Sequence, residues 1–339
     1  MWQRDRSMML GSVRIGAFAG VLAALTACGV AAGRDASLPL KEVARVPLSG
    51  PNNRFDYTST DPSTNRLYVA HMDASQLLVL DLGTRRIVKT IAVAGVHGVI
   101  AVPQLHRVFA SATNAHQAIT IDARSERVLA RAPAGSYPDG LAYDPVERHV
   151  FISDESGGVE TVLNASGARI ATIQLGGEAG NVQYDAGARR MLVDVQTRDE
   201  VAIINPRTNK LIRRIPVACH HPHSLYVDSA QRLAFIACDA DNKLLTFDLR
   251  RLKVTQTADV GSGPDVLAFD AGSRRLYVAA ESGDVAVFAE RRRGLTKLGQ
   301  AHLASAAHTV AVDSRTHLVY FPLEAGSNGR PQLLIMKPS

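Results

Sequence analysis

Hydrophobic and polar positions alternate along the chain in short segments that repeat from Arg54 to the end. In each repeat an apolar segment ends at a turn residue, and a second apolar segment begins a few positions later. The turn residues recur every 41 to 43 positions, at Asp61, Pro103, Asp144, Asp185, Asp228, Asp270 and Asp313. Short apolar runs bounded by turn residues predict β-strands, and no helical periodicity competes with them after residue 40.

Each repeat contains room for two further strands. The third ends in an Asx-type turn, at Asp81, Asp122, Asn164, Asn205 and Asp248, where a short polar side chain can bond its own backbone. The fourth leads into a link that contains glycine or proline. Four short strands in a period of about 40 to 45 residues are typical of propeller blades. The seven repeats therefore predict an all-β, seven-bladed β-propeller that occupies residues 40–339 as a single domain.

The two ends of the repeat array complement each other. The seventh repeat stops after its third strand, residues 332–337, while residues 42–48 have the apolar pattern of residues 211–217, a fourth strand. We therefore expect the N-terminal strand to complete the last blade. This arrangement closes the ring and leaves no open sheet edge between the chain ends.

The repeats resemble those of the YVTN-repeat (YncE-like) β-propeller family. The resemblance rests on the Asp-Pro turns, on strands such as Leu67-Tyr68-Val69-Ala70 and on turns such as Asp81-Leu82-Gly83-Thr84, and it extends over residues 40–339. It implies the propeller fold. Nucleic-acid binding has been associated with YncE-like propellers, but the same blades serve structural, binding and catalytic proteins.

The N-terminal segment has the features of an export signal. Basic residues between positions 4 and 14 precede an apolar run at 15–25. This run is too short to span a bilayer core, which needs about 20 residues, but suits the hydrophobic region of a signal peptide.

The signal ends in Leu25-Thr26-Ala27-Cys28-Gly29, which resembles a bacterial lipobox. We expect residues 1–27 to be a lipoprotein signal peptide, Cys28 to be lipidated and residues 28–39 to form a tether. The predicted product is a periplasm-facing outer-membrane lipoprotein whose lipid anchor binds the membrane. A soluble periplasmic or secreted protein with an ordinary cleaved signal is the alternative.

Composition narrows the choice of function. Aromatic residues make up 5% of the chain and the net charge is +6, so neither a stacking platform nor a strong positive charge favours nucleic acid as a partner. The three cysteines are too few for a disulfide-built scaffold, and none lies in a CxxC zinc pattern.

The repeat register assigns charged residues to two faces. Positions near the start of each first strand should surround one mouth of the central channel, and we call this face the acidic-histidine face. Its candidate ligand-binding residues are Asp56, His97, Asp139, Asn181, His221, His223, Asp265 and His308. The opposite face collects turn arginines and should be basic. We expect it to face either the anionic membrane surface or solvent.

Carboxylates and imidazoles around one channel suit a divalent metal. A metal-dependent hydrolase or lyase would use ligands from Asp139, His223, Asp265 and His308, with His97 as the candidate general base. In the structural alternative these side chains only cap tight links, and a channel wide enough for water holds opposite side chains beyond the roughly 2.0–2.6 Å of metal coordination. A polar pocket without a metal is a third interpretation.

Two cysteines fall on the first two strands of the fifth repeat. Antiparallel pairing about the turn near Ser229 brings Cys219 and Cys238 close together. We expect a disulfide that holds the link at residues 220–223, with two buried thiols as the alternative.

Three functions remain in competition. The preferred one is a binding or interaction module, in which the acidic-histidine face contacts an unidentified protein or small molecule. The second is the metal-dependent hydrolase or lyase. The third is nucleic-acid binding by the basic face, against which the scarcity of aromatic residues argues.

Overall fold

The computed structural model describes residues 37–292, 294–326 and 328–339. The expected signal peptide, Cys28 and most of the expected tether lie outside these residues. Within them the chain forms 28 β-strands and three short 3-10 turns, at Pro103–Leu105, Thr113–Ala115 and Gln196–Arg198. In this described part, no helix has the length and apolar character needed to cross a membrane.

The strands of the described residues form seven four-stranded sheets, the blades. The first strand in the chain is β1 (Leu40–Pro47). Blades 1 and 2 consist of β2 (Thr58–Asp61), β3 (Arg66–His71), β4 (Gln76–Asp81) and β5 (Arg86–Ala92), then β6 (Val96–Val102), β7 (Arg107–Ala112), β8 (Gln117–Asp122) and β9 (Val128–Pro133). Blades 3 and 4 consist of β10 (Pro138–Asp144), β11 (His149–Asp154), β12 (Val159–Leu163) and β13 (Arg169–Gln174), then β14 (Ala179–Asp185), β15 (Arg190–Val195), β16 (Glu200–Asn205) and β17 (Lys210–Pro216).

Blades 5 and 6 consist of β18 (Pro222–Asp228), β19 (Leu233–Cys238), β20 (Lys243–Asp248) and β21 (Lys253–Asp259), then β22 (Pro264–Asp270), β23 (Arg275–Ala280), β24 (Asp284–Arg291) and β25 (Gly294–His302). Blade 7 contains β26 (Ala311–Asp313), β27 (Leu318–Leu323) and β28 (Gln332–Pro338). The predicted all-β, seven-bladed propeller is confirmed.

The N-terminal strand closes the ring as predicted. β1 pairs antiparallel with β28, from Leu40 opposite Pro338 to Pro47 opposite Gln332, and becomes the outermost strand of blade 7. The first and last strands of the described chain therefore belong to one sheet. Unfolding of either end opens the ring.

The aspartates that mark the repeat are buried caps of the turns. Asp61 Oδ1 accepts hydrogen bonds from the amide and hydroxyl of Ser63, at 2.8 and 2.7 Å. The same carboxylate-to-amide bond recurs at Asp144, Asp185, Asp228, Asp270 and Asp313. These bonds satisfy amide groups that the strands cannot pair, which explains why the aspartate returns in nearly every blade.

The second strands of the blades supply many of the largest buried side chains. The equivalent position holds Tyr68, Phe109, Phe151, Leu192, Phe235, Tyr277 and Tyr320, all of which are buried between neighbouring blades. Burying such a side chain stabilises the fold by roughly 1.5–3 kcal/mol. The repeated aromatic residues therefore form the core of the fold, and few remain to line a ligand site.

Candidate functional site

The links into the first strands meet at one end of the channel and enclose a cavity of about 410 Å³, which we call the mouth cavity. Five of the eight predicted ligand-binding residues line it, namely His97, Asp139, His221, His223 and Asp265. The other three, Asp56, Asn181 and His308, are buried close behind the lining. The sequence register thus placed the predicted residues at one end of the channel.

In blades 2 and 4 the positions equivalent to Asp56 and Asp139 hold Gly98 and Gly180. Glycine is needed there because the first strands approach each other closely. A Cβ atom on Gly98 would collide with the backbone oxygen of Asp139, and one on Gly180 would lie 2.6 Å from the backbone oxygen of His223. Blades 2 and 4 therefore contribute no side chain at this position of the channel mouth, because the backbone of the neighbouring strand fills the space.

His97 lies between two carboxylates at the mouth. Its Nε2 is 3.0 Å from Asp56 Oδ2 and 3.6 Å from Asp139 Oδ1. Burial by itself lowers the pKa of His97, but the charges of Asp139 and Asp56 overcome this effect and raise the pKa to about 9. With this pKa the imidazole is protonated at neutral pH and donates a hydrogen bond to Asp56.

The two carboxylates beside His97 differ in acidity. Burial raises the pKa of Asp56, but the charge and hydrogen bond of His97 outweigh it and bring the pKa to about 2. For Asp139 burial prevails and raises the pKa to about 6. Asp139 Oδ1 has no hydrogen-bond partner within the described residues and lies 3.6 Å from His97 Nε2.

His223 forms a second ion pair on another wall of the mouth cavity. Its Nε2 lies 3.1 Å from Asp265 Oδ1, and its Nδ1 lies 3.2 Å from Gln196 Oε1. Burial lowers the pKa of His223, whereas the hydrogen bond and charge of Asp265 raise it, with a net value of about 10. Like His97, this histidine is a cation at neutral pH.

Arg54 connects the two histidine–aspartate pairs. Its Nε donates to Asp56 Oδ2 at 3.2 Å, and its Nη2 donates to Glu281 Oε1 at 2.8 Å. The same Nη2 lies 3.6 Å from Asp265 Oδ2. The guanidinium thus bridges carboxylates from blades 1 and 6, and the mouth is a network of ion pairs rather than a ring of independent side chains.

A hydrogen bond crosses the channel beneath the mouth cavity. The hydroxyl of Tyr57, in blade 1, donates to Asn181 Oδ1, in blade 4, at 2.8 Å. Asn181 Nδ2 in turn donates to Ser224 Oγ at 3.2 Å. A second cavity, of about 340 Å³, begins at Tyr57 and Asn181 and continues along the later residues of the first strands. Tyr57 and Asn181 therefore divide the channel into two compartments.

The link before β18 is held by a disulfide and by carboxylates. Cys219 and Cys238 are joined in the structure, 19 positions apart in sequence. His221 Nδ1 lies 2.7 Å from Asp239 Oδ1, and the His221 amide donates to Asp199 Oδ1 at 2.8 Å. Carboxylates of two neighbouring loops thus anchor the backbone that presents His223 to the mouth cavity.

The predicted metal ligands do not come together as one group. Asp139 and His97 lie on one wall, while His223 is already paired with Asp265. Among the described residues, the group of three or more side chains with metal-ligand spacing is Asp265, Glu281 and His308, each of which offers one atom within 4.8 Å of the others. Two of the four predicted ligands are therefore joined by a glutamate that the prediction omitted.

Several residues of the mouth were missed because their positions depend on the ring. Arg54, Tyr57, Tyr137 and Gln196 were not selected, although each lines a channel compartment. The available signal was their position, two residues from a selected aspartate in the cases of Arg54 and Tyr137.

Part of the positive charge on the opposite face is neutralised. Arg66 pairs with Asp81 and lies 3.3 Å from Glu126 of the next blade. Arg107 pairs with Asp122 at 3.0 Å, and Arg232 pairs with Asp185 of the preceding blade. These turn arginines connect strands and blades, so the face carries less free charge than the number of its arginines indicates.

No protein-family model matches the chain, and no curated protein sequence matches it. The fold, by contrast, matches 1808 chains of solved structures, a number too large to indicate one function. One of them is the structure of U3-55K, with a TM-score of 0.73 and 11% sequence identity, and the match covers 88% of this chain and 100% of that chain. At this identity the likeness shows the fold alone: the protein is a seven-bladed β-propeller, a fold that commonly serves as a protein-interaction scaffold.

Proposed function

We propose that the protein is a binding module whose mouth cavity takes up a small ligand bearing a protonated amine. The observation that carries this proposal is Asp139 Oδ1, a buried atom that makes no hydrogen bond within the described residues and lies 3.6 Å from His97 Nε2, in a residue that lines a cavity of about 410 Å³. A buried acceptor without a hydrogen bond is costly, and such atoms are normally satisfied by water or a ligand.

The charge of the lining supports a cationic ligand. Five carboxylates line the mouth cavity, from Asp139, Glu155, Asp239, Asp265 and Glu281. Arg54 and the protonated His97 and His223 supply three positive charges. The excess of negative charge attracts cations.

Tyr137 adds an aromatic ring to the Asp139 wall of the mouth cavity. Its ring lines the mouth cavity and meets the ring of His97 edge-on, with centroids 5.5 Å apart. The face of a tyrosine ring attracts cations within about 6 Å of its centroid. An amine placed between Tyr137 and Asp139 gains both this attraction and a charge-assisted hydrogen bond.

Calorimetric titration of the purified protein with putrescine tests this function. We expect putrescine to bind and the dicarboxylate succinate not to bind. Asp139→Asn should weaken putrescine binding at least about tenfold, since it removes a charge-assisted bond worth roughly 1.5–3 kcal/mol. Asp73→Asn is the matched control, because Asp73 is exposed and outside the lining. Equal affinities of these two variants, or preferential binding of succinate, would contradict the proposal.

The cellular setting of this module follows from the N-terminal sequence. We propose that residues 1–27 direct export, that Cys28 carries the lipid anchor and that the propeller is a YVTN-type repeat protein held at the outer membrane. Metabolic labelling with a palmitate analogue should mark the wild-type protein and not Cys28→Ser. Labelling of both proteins, or of neither, would contradict lipidation at Cys28.

A further inference from the structure

His308 is held in the form that metal-binding histidines adopt. Its side chain is fully buried, and its Nε2 lies 2.9 Å from the carbonyl oxygen of Phe55. A carbonyl oxygen only accepts hydrogen bonds, so Nε2 carries the hydrogen. Nδ1 has no hydrogen-bond partner in residues 37–292, 294–326 and 328–339. Metal-binding histidines typically donate one ring N–H to a backbone carbonyl and bind the metal through the other nitrogen.

Two carboxylates near His308 Nδ1 are held in a similar way. Asp265 Oδ1 is bonded to His223, while Asp265 Oδ2 is buried and without a hydrogen-bond partner in the described chain. Glu281 Oε1 accepts from Arg54 at 2.8 Å, and Glu281 Oε2 lies 3.5 Å from His308 Nδ1. In Asp265, Glu281 and His308, one side-chain atom is thus bonded to a neighbouring residue and fixes the orientation of the side chain. A second atom of each side chain remains available as a ligand to a shared metal ion.

We propose that Asp265, Glu281 and His308 form a binding site for a divalent transition metal in the wall between blades 6 and 7. The three side chains offer ligand atoms within 4.8 Å of one another. One imidazole with two carboxylates suits Mn²⁺, Fe²⁺ or Zn²⁺ better than Ca²⁺ or Mg²⁺, which prefer oxygen ligands alone. The proposal goes beyond the amine pocket, and the two sites are neighbours because Asp265 and Glu281 also line the mouth cavity.

Arg54 sets the charge of this site. Its guanidinium bridges the two carboxylates at 2.8 and 3.6 Å, so it offsets one of their two negative charges and leaves one for the metal. Glu281, whose side chain is 44% exposed, provides access from the mouth cavity.

Titration with Mn²⁺ alone tests the site. Binding is measured as the loss of the electron paramagnetic resonance signal of free Mn²⁺. The protein is the full chain with Cys28→Ser, which removes the one cysteine outside the disulfide. We expect one Mn²⁺ per chain, and at least about tenfold weaker binding in Glu281→Gln and in His308→Gln. Glu281 is partly exposed, so its variant keeps the test valid if the buried His308→Gln fails to fold.

The matched control is Glu178→Gln, since Glu178 is exposed and lies outside the lining of the mouth cavity, and should leave Mn²⁺ binding unchanged. Absence of stoichiometric binding, or equal weakening by Glu178→Gln and Glu281→Gln, overturns the metal site. Asp139→Asn separates the two proposals, because it should weaken putrescine binding at least about tenfold and preserve Mn²⁺ binding. Putrescine binding without Mn²⁺ binding refutes the metal site alone, and the reverse refutes only the amine pocket.

Discussion

Tyr57 and Asn181 are 124 positions apart in sequence and share a 2.8 Å hydrogen bond across the channel. Blades 1 and 4 stand on opposite sides of a seven-membered ring, so this bond spans the channel. It also separates the mouth cavity from the second cavity. A ligand that enters at the acidic-histidine face therefore meets a floor made by these two side chains.

Removing the Tyr57 hydroxyl should destabilise the propeller. Burial, followed by the charge of Asp139, raises the pKa of Tyr57 well above its ordinary value, so the hydroxyl remains a donor at neutral pH. We expect Tyr57→Phe to lower the free energy of unfolding by about 1–2 kcal/mol, since Asn181 loses its partner.

Urea unfolding of Tyr57→Phe, Asn181→Ala and the double variant measures the coupling between the two side chains. A cycle of this kind isolates their pairwise interaction. Additive effects would show that the bond across the channel contributes nothing to stability.

The buried Glu160 should make stability fall as the pH rises. Burial raises the pKa of Glu160 to about 8, while a hydrogen bond from Ser153 Oγ at 2.8 Å opposes this. A carboxyl with a raised pKa in the folded state binds its proton more tightly than in the unfolded state. The resulting loss of folding stability is absent below pH of about 4.5, where Glu160 is protonated in both states, and grows as the pH rises to about 8.

Glu160→Gln removes this ionisation. We expect the variant to gain stability relative to wild type between pH 5 and 8, by on the order of 2–4 kcal/mol. Urea unfolding at both pH values measures the gain, with the exposed Glu178→Gln as control. A difference between Glu160→Gln and wild type that does not change with pH contradicts the assignment.

Binding of an amine at the mouth should weaken in acid. Burial raises the pKa of Asp139 to about 6, so its carboxylate becomes neutral as the pH falls through that value. We expect putrescine affinity to drop at least about fivefold between pH 7.5 and pH 5, the ordinary consequence of losing a charged acceptor. Titration of Asp139→Asn over the same range should give a nearly constant affinity, and a parallel drop in that variant would assign the effect to another group.

The disulfide should stabilise the fifth blade. Cys219 and Cys238 are 19 positions apart, and closing a loop of this size contributes about 3 kcal/mol in the chain-entropy treatment. The double variant Cys219→Ala, Cys238→Ala should lose about this much in urea unfolding. A thiol assay on denatured, unreduced wild-type protein should detect neither cysteine, and two reactive thiols beyond Cys28 would sink the prediction.

Most of the fold follows from local pattern. The aspartate at Asp61 and its equivalents, the aromatic residue at Tyr68 and its equivalents, and the apolar strand at residues 42–48 each act within one blade or between neighbouring blades. Because every blade packs in the same way, the same residue types recur at equivalent positions of the seven repeats. The proximity of Cys219 and Cys238 was predictable from the hairpin of blade 5, because Cys238 pairs with Pro222 and Cys219 lies in the link just before that residue.

The side-chain contacts between different blades at the channel mouth were not predictable in this way. The sequence alone determined the seven blades, the closing strand and the end of the channel at which Asp139, Asp265 and His308 lie. The tertiary structure decided that Arg54 bridges the blades, that Tyr57 reaches Asn181 and that Glu281 joins His308. These contacts depend on the radius of the closed ring, which is set by all seven blade interfaces together and is not encoded in any single repeat.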